Sequence, residues 1–113
     1  MTEHQHQVDF FKWFRFQYPN VFAYAIPNAA KRSKTLAAYM KAEGLVSGVP
    51  DIFIADGRPG MFIEMKKPKT GRLSPNQKAA IQKLMLSGYA VSVCYGWEEA
   101  KNAVQDYFLN QTG

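Results

Sequence analysis

One cysteine in 113 residues excludes an internal disulfide and fits a reducing compartment. No stretch approaches the ~20 consecutive apolar residues that a membrane-spanning helix needs. The polar, acidic start lacks the basic and apolar regions of a secretory signal, so a cytoplasmic protein with no membrane attachment is expected. The two histidines, His4 and His6, form no metal-ligand motif with another His or Cys and are expected as an exposed pair. Internal repeats, linkers and low-complexity segments are missing too, which leaves one domain over residues 1–113. Acid is scarce in two long stretches. Residues 65–97 hold six Lys or Arg (Lys66, Lys67, Lys69, Arg72, Lys78, Lys83) and residues 29–42 hold four (Lys31, Arg32, Lys34, Lys41), neither with an Asp or Glu. Apolar content of 47% supports an ordinary core, and the net charge of +5 gathers on those two segments, the footprint of a phosphate-backbone binder.

The carboxylates that remain are arranged. Asp51 follows Pro50, Glu64 comes thirteen positions after Asp51 with Lys66 two further on, and Gln77 comes thirteen after Glu64. Apolar runs at 52–55 and 61–65 flank the turn-forming residues 56–60, which predicts an antiparallel hairpin with a five-residue connection. Side chains alternate along a strand, so Glu64 and Lys66 share a face while Ile63 and Met65 take the other. The hairpin brings Asp51, Glu64 and Lys66 to one end of a sheet. Two carboxylates and an amine are costly to bring together unless a cation joins them, and hard oxygen donors suit Mg²⁺ or Mn²⁺. The Met65 carbonyl lies between the two functional side chains as a further ligand. Such a centre fits phosphodiester hydrolysis, with Lys66 orienting a water and stabilising developing charge.

The rest of the chain places this hairpin. Residues 3–18 read as a helix capped by Thr2 or the chain start, with Val8, Phe11, Phe14 and Tyr18 recurring at helical spacing and Glu3 and Gln7 on the side of Phe11. Residues 21–26 form a strand. Ser33 caps a helix that Gly44 stops. Ser74-Pro75-Asn76-Gln77 opens another helix by its Ser, Pro and Gln positions, with Ala79, Ala80, Ile81, Leu84 and Met85 expected inward. A strand over 89–95 then runs parallel to 61–66 through that helix, with Cys94 as a core residue. A last helix from Glu98 to Leu109 turns Ala103, Val104 and Tyr107 inward. The order α-β-α-β-β-α-β-α predicts an α/β sandwich, a mixed four-stranded central sheet flanked by helices.

Pro50-Asp51, Glu64-x-Lys66 and Gln77 resemble the PD-(D/E)xK nuclease signature. The longer run GVPDIF…FIEMKKPKTGRLSPNQ…GYAVSVCYGWEEA is similar to the VRR-NUC (virus-type replication-repair nuclease) family, and the likeness extends from Glu3 to about Phe108. The resemblance implies a restriction-endonuclease-like fold and a metal site of Asp51, Glu64 and the Met65 carbonyl. It adds Glu3 from the first helix as a further metal ligand and Gln77 as an active-site residue. Locally, Gln77 also reads as the return partner in a capping box with Ser74, and one rotamer is not expected to serve both roles fully. Asn28, Ala29, Ala30, Lys31 and Arg32 resemble the family's Asn-Gly-Gly-Lys-Arg loop, with alanines for both glycines. DNA contacts are therefore expected from Asn28, Lys31 and Arg32 and from Lys67, Lys69 and Arg72 in the loop after the lysine. Stand-alone members, largely of phages and bacteria, act on four-way DNA junctions as homodimers, whereas members fused to larger domains process flaps. With no attached specificity module, a homodimeric Holliday-junction resolvase in a bacterial or phage-infected cell is the leading expectation. A flap or single-strand nuclease and a non-catalytic DNA-binding protein are the alternatives.

Overall fold

The structure, a computed structural model, describes residues 1–27 and 33–110. The elements follow the expected order: α1 (Glu3–Gln17), β1 (Phe22–Ala25), α2 (Lys34–Ala42), β2 (Ile52–Ala55), β3 (Met61–Lys66), α3 (Pro75–Leu86), β4 (Ala90–Tyr95) and α4 (Trp97–Asn110). The sheet order is β1-β2-β3-β4. β1 and β2 pair antiparallel, as do β2 and β3, while β3 and β4 pair parallel with α3 as the crossover. The sheet is therefore mixed, as the hairpin and the strand-helix-strand unit require. Among the described residues, no helix is long and apolar enough to cross a membrane.

One sheet face carries the core. Ala23, Ile52, Ile54, Met61, Ile63, Met65 and Cys94 pack there against Phe10 and Phe14 of α1 and against Ala100, Val104 and Tyr107 of α4. Burying a side chain such as Phe10 or Phe14 contributes about 1.5–3 kcal/mol relative to leaving it in water. The Cys94 thiol is pushed up to about 12 by burial, so it packs as a small inert hydrophobe, as expected. Tyr107 also ties the β2–β3 connection to α4. Its hydroxyl donates to Asp56 Oδ1 at 2.8 Å and accepts from the Gly60 N–H at 3.2 Å. Burial and then the Asp56 carboxylate raise that phenol to about 12.

Three details of packing depart from the sequence pattern. In α1 the buried residues are His6, Phe10 and Phe14, while Val8 is exposed. Aromatic residues occupy several faces of this helix, so their spacing does not fix which face turns inward. His6, expected to be exposed, is buried because its Nδ1 accepts the Trp97 N–H at 3.1 Å and satisfies one free donor at the start of α4. Finally, no residue of α3 is buried, and Met85 and Leu86 are 58% and 81% exposed. This helix rests on one edge strand, β4, which leaves its outer apolar side uncovered.

Candidate active site

Pro50 is buried and starts the approach to Asp51. The backbone of Asp51 is held from both sides. Its N–H donates to the Ile63 carbonyl at 3.1 Å, and its carbonyl accepts the Ile26 N–H at 2.7 Å. The Asp51 carboxylate, through Oδ2, accepts the Met65 N–H at 2.8 Å. Since a strand residue points its N–H and C=O toward the same neighbouring strand, the Met65 carbonyl faces the Asp51 side of β3. The Lys66 carbonyl points the other way and accepts from Gly96 at 3.1 Å.

Glu64 and Lys66 leave β3 on its other face and are both buried, at 2% and 9% exposure. Glu64 Oε2 lies 3.8 Å from Lys66 Nζ and accepts from Gln77 Nε2 at 3.2 Å. Glu64 Oε1 is buried with no hydrogen-bond partner. Burial is the largest influence on this carboxyl, followed by the neighbouring Asp51 charge; Lys66 opposes them and Glu3 reinforces them. The outcome is a Glu64 pushed up from the usual carboxylate range to about 8. A carboxyl raised by burial and like charge, with one oxygen left unsatisfied, fits a cation-binding position.

Gln77 reaches Glu64 because α3 starts where it does. Ser74 Oγ accepts the Gln77 N–H at 3.2 Å, and Gln77 Oε1 accepts the Ser74 N–H at 2.8 Å, a complete capping box. The expectation of two competing rotamers is thus overturned. An amide has a carbonyl end and an amino end, and in this rotamer the first closes the cap while the second holds Glu64. Gly48 allows the close approach. It has φ +89°, and a Cβ there would sit 2.5 Å from the carbonyl carbon and oxygen of Asn76. The turn before Pro50 therefore abuts the first turn of α3.

Glu3, Asp51, Glu64 and Gln77 all line one open groove of about 690 Å³, so these four expected residues do converge. Lys66 joins them through Glu64. Lys67, Lys69 and Arg72 lie in the loop between β3 and α3, and do not line the groove. Arg72 Nη1 donates to the carbonyls of Lys69 and Gly71, at 3.1 and 2.8 Å, and so closes that loop upon itself. Asn28, Lys31 and Arg32 lie outside the described residues. The remaining wall of the groove was not anticipated: it includes Gln7, Phe11, Lys12 and Arg15 of α1. The i, i+4 series Glu3-Gln7-Phe11-Arg15 is the pattern that marks this wall in the sequence.

Among the described residues, no three His, Cys, Asp or Glu side chains form a ready-made metal group. Two carboxylates and a carbonyl are nonetheless a suitable donor set for Mg²⁺, whose shell is usually completed by waters and phosphate oxygens.

Comparison with known proteins identifies the family and the fold. The VRR-NUC domain family matches residues 1–98, a span that contains Glu3, Asp51, Glu64, Lys66 and Gln77. A solved structure described as a VRR_NUC domain protein superposes with a TM-score of 0.79 at 27% identity, covering 95% of this chain and 88% of that one. A search of curated proteins finds no match. The shared fold and the extent of the family match together show that this chain belongs to the VRR-NUC domain family, whose members are nuclease domains of the PD-(D/E)xK type.

Proposed function

We propose that the chain is a metal-dependent, structure-selective DNA endonuclease that resolves four-way junctions as a homodimer. The unsatisfied Oε1 of buried Glu64, between Asp51 and Lys66, carries the metal-dependent part of this reading. Asp51, Glu64 and the Met65 carbonyl would hold Mg²⁺ or Mn²⁺, with Glu3 completing the acidic rim. Such an ion lowers the pKa of a bound water and neutralises phosphate charge. Lys66 donates from its ammonium to the attacking water and to the phosphate oxygens. Gln77 keeps Glu64 in place, which keeps the ammonium and carboxylate in register. Lys67 and Lys69 contact phosphates flanking the cut, while Arg72 shapes their loop; Asn28, Lys31 and Arg32 are further phosphate contacts in this reading.

The dimer is supported by the sheet face opposite the core. Phe22, Tyr24, Phe53, Phe62 and Tyr89 form a continuous chain of ring contacts across it, with Phe22 and Tyr24 68% and 42% exposed. A second copy seated on this aromatic strip would remove it from water and give two sites related by a two-fold axis. Two such sites cut two strands of a junction at matched positions.

The test is a panel of end-labelled substrates in Mg²⁺ or Mn²⁺: a four-way junction, a flap, a single strand and a plain duplex. Each is run beside Lys66→Ala, with the mass in solution measured by sedimentation. Paired symmetric cuts on the junction by a dimer, lost in the variant, are expected. Cutting of the flap or single strand by a monomer would overturn the resolvase and leave a repair-type nuclease. Metal-independent binding with no cutting would leave only a DNA-binding protein.

A further inference from the structure

The proposed chemistry uses the acidic part of the groove and leaves the α1 wall without a task. That wall is ordered by the helix. Glu3, Gln7, Phe11 and Arg15 follow at intervals of four residues, and Lys12 stands beside the last two. Glu3 lines the groove together with Asp51 and Glu64, so the wall begins at its acidic part. Arg15 is twelve residues further along, ~18 Å at 1.5 Å per residue. That length matches about five nucleotides of a stacked strand at ~3.4 Å each.

The chemistry changes sign along this length. Glu3, Asp51 and Glu64 line one part of the groove, and the exposed Lys12 and Arg15 line it further along α1. Between them Phe11 is only partly buried. Phe10 fixes its ring edge-on, with centroids 5.5 Å apart, and the Arg15 guanidinium lies 4.7 Å from its centroid. An arginine plane lying over an aromatic ring offers a flat, backed surface on which a base can stack.

We propose that the α1 groove binds an unpaired DNA segment adjoining the scissile phosphate, with Phe11 and Arg15 stacking a base and Lys12 and Arg15 holding its phosphates. This rests on the nuclease reading above, and it adds a reason for selectivity. A base inside a continuous duplex keeps its stacking partners and gains nothing from Phe11, whereas a base freed at a branch does.

The experiment measures binding of a fluorescein-labelled single strand and of a labelled duplex by anisotropy, in EDTA, over a range of salt. For the Lys12→Gln/Arg15→Gln protein, the slope of log K against log salt on the single strand should flatten by about 1.4, or ~0.7 for each lost contact. Phe11→Ala should weaken single-strand binding by roughly 5- to 150-fold, with little effect on the duplex and no change of slope, and Phe11→Trp should restore it. Circular dichroism confirms folding, and the exposed Lys12 and Arg15 changes test the groove even where Phe11→Ala destabilises α1. Unchanged slopes and affinities in the variants, with a parent that cuts DNA in Mg²⁺, would overturn the groove and leave the nuclease. Flattened slopes in the variants, with a parent that cuts nothing, would support the groove as a strand-binding site and overturn the nuclease.

Discussion

Replacing Gln77 separates the two hydrogen bonds made by its amide, and the expected sizes differ enough to measure. The carbonyl end caps α3 at Ser74, and the amino end holds Glu64 at 3.2 Å. Loss of an N-cap interaction costs about 0.5–2 kcal/mol of stability. Loss of a hydrogen bond to a charged partner costs about 1.5–3 kcal/mol, which, if felt fully in the transition state, is roughly 10- to 150-fold in rate. Gln77→Glu keeps the capping acceptor and suits the first turn of a helix, so its melting temperature should stay close to the parent's. It also replaces the donor with a carboxylate against Glu64, so its cleavage rate should fall by at least about 10-fold. Ser74→Ala should do the opposite, lowering the melting temperature by several degrees at roughly 4 °C per kcal/mol while sparing most of the cutting. Gln77→Ala should lose both. The assays are thermal melting and single-turnover cleavage of the four proteins side by side. Full activity in Gln77→Glu, or equal damage to cutting from Ser74→Ala and Gln77→Ala, would refute the divided role.

Glu64 predicts a dependence on pH in EDTA. Its folded carboxyl, raised to about 8 from 4.5, keeps a proton that the unfolded chain has released. Stability attributable to this group therefore falls as pH rises between those two values, and Glu64→Gln should show a flatter melting profile over the same window; matching profiles would contradict this. Two glycines with positive φ provide a matched pair. Gly57→Ala, where a Cβ meets nothing within 4 Å, should cost about 1–2 kcal/mol of backbone strain, whereas Gly48→Ala should cost more and reduce cutting by displacing Asn76 and Gln77. Melting and cleavage rates check both, and equal effects at the two positions would contradict the close approach. Tyr107→Phe should lose about 1–3 kcal/mol by leaving the buried Gly60 N–H without its partner and removing one of the hydrogen bonds to Asp56, while the folded protein keeps its activity.

What was legible in the sequence was local. The β2–β3 hairpin follows from two apolar runs around a turn, and the start of α3 follows from Ser74, Pro75 and Gln77. The alternation that puts Glu64 beside Lys66 is a property of any strand. What was not legible depends on partners far along the chain. His6 is buried because of a peptide N–H 91 positions away. The inward face of α1 was hidden by aromatic residues on several sides, and the exposed apolar side of α3 reflects how little of the sheet it covers. Gln77 was misjudged for a simpler reason, since its amide was treated as having one useful end. The groove wall on α1 was readable as an i, i+4 series, but its meaning needed Asp51, just before β2, and Glu64 of β3 to be placed in the same groove.

Asp51, Glu64, Lys66 and Gln77 are proposed to form a metal-dependent nuclease centre. It is tested most directly by cleavage of an end-labelled four-way junction with Mg²⁺ or with EDTA, using the parent, Glu64→Gln and Lys66→Ala, with DNA binding measured in parallel. The account predicts cutting by the parent in Mg²⁺ alone and loss of cutting in both variants, with binding retained. Cutting that survives EDTA or either substitution would contradict it.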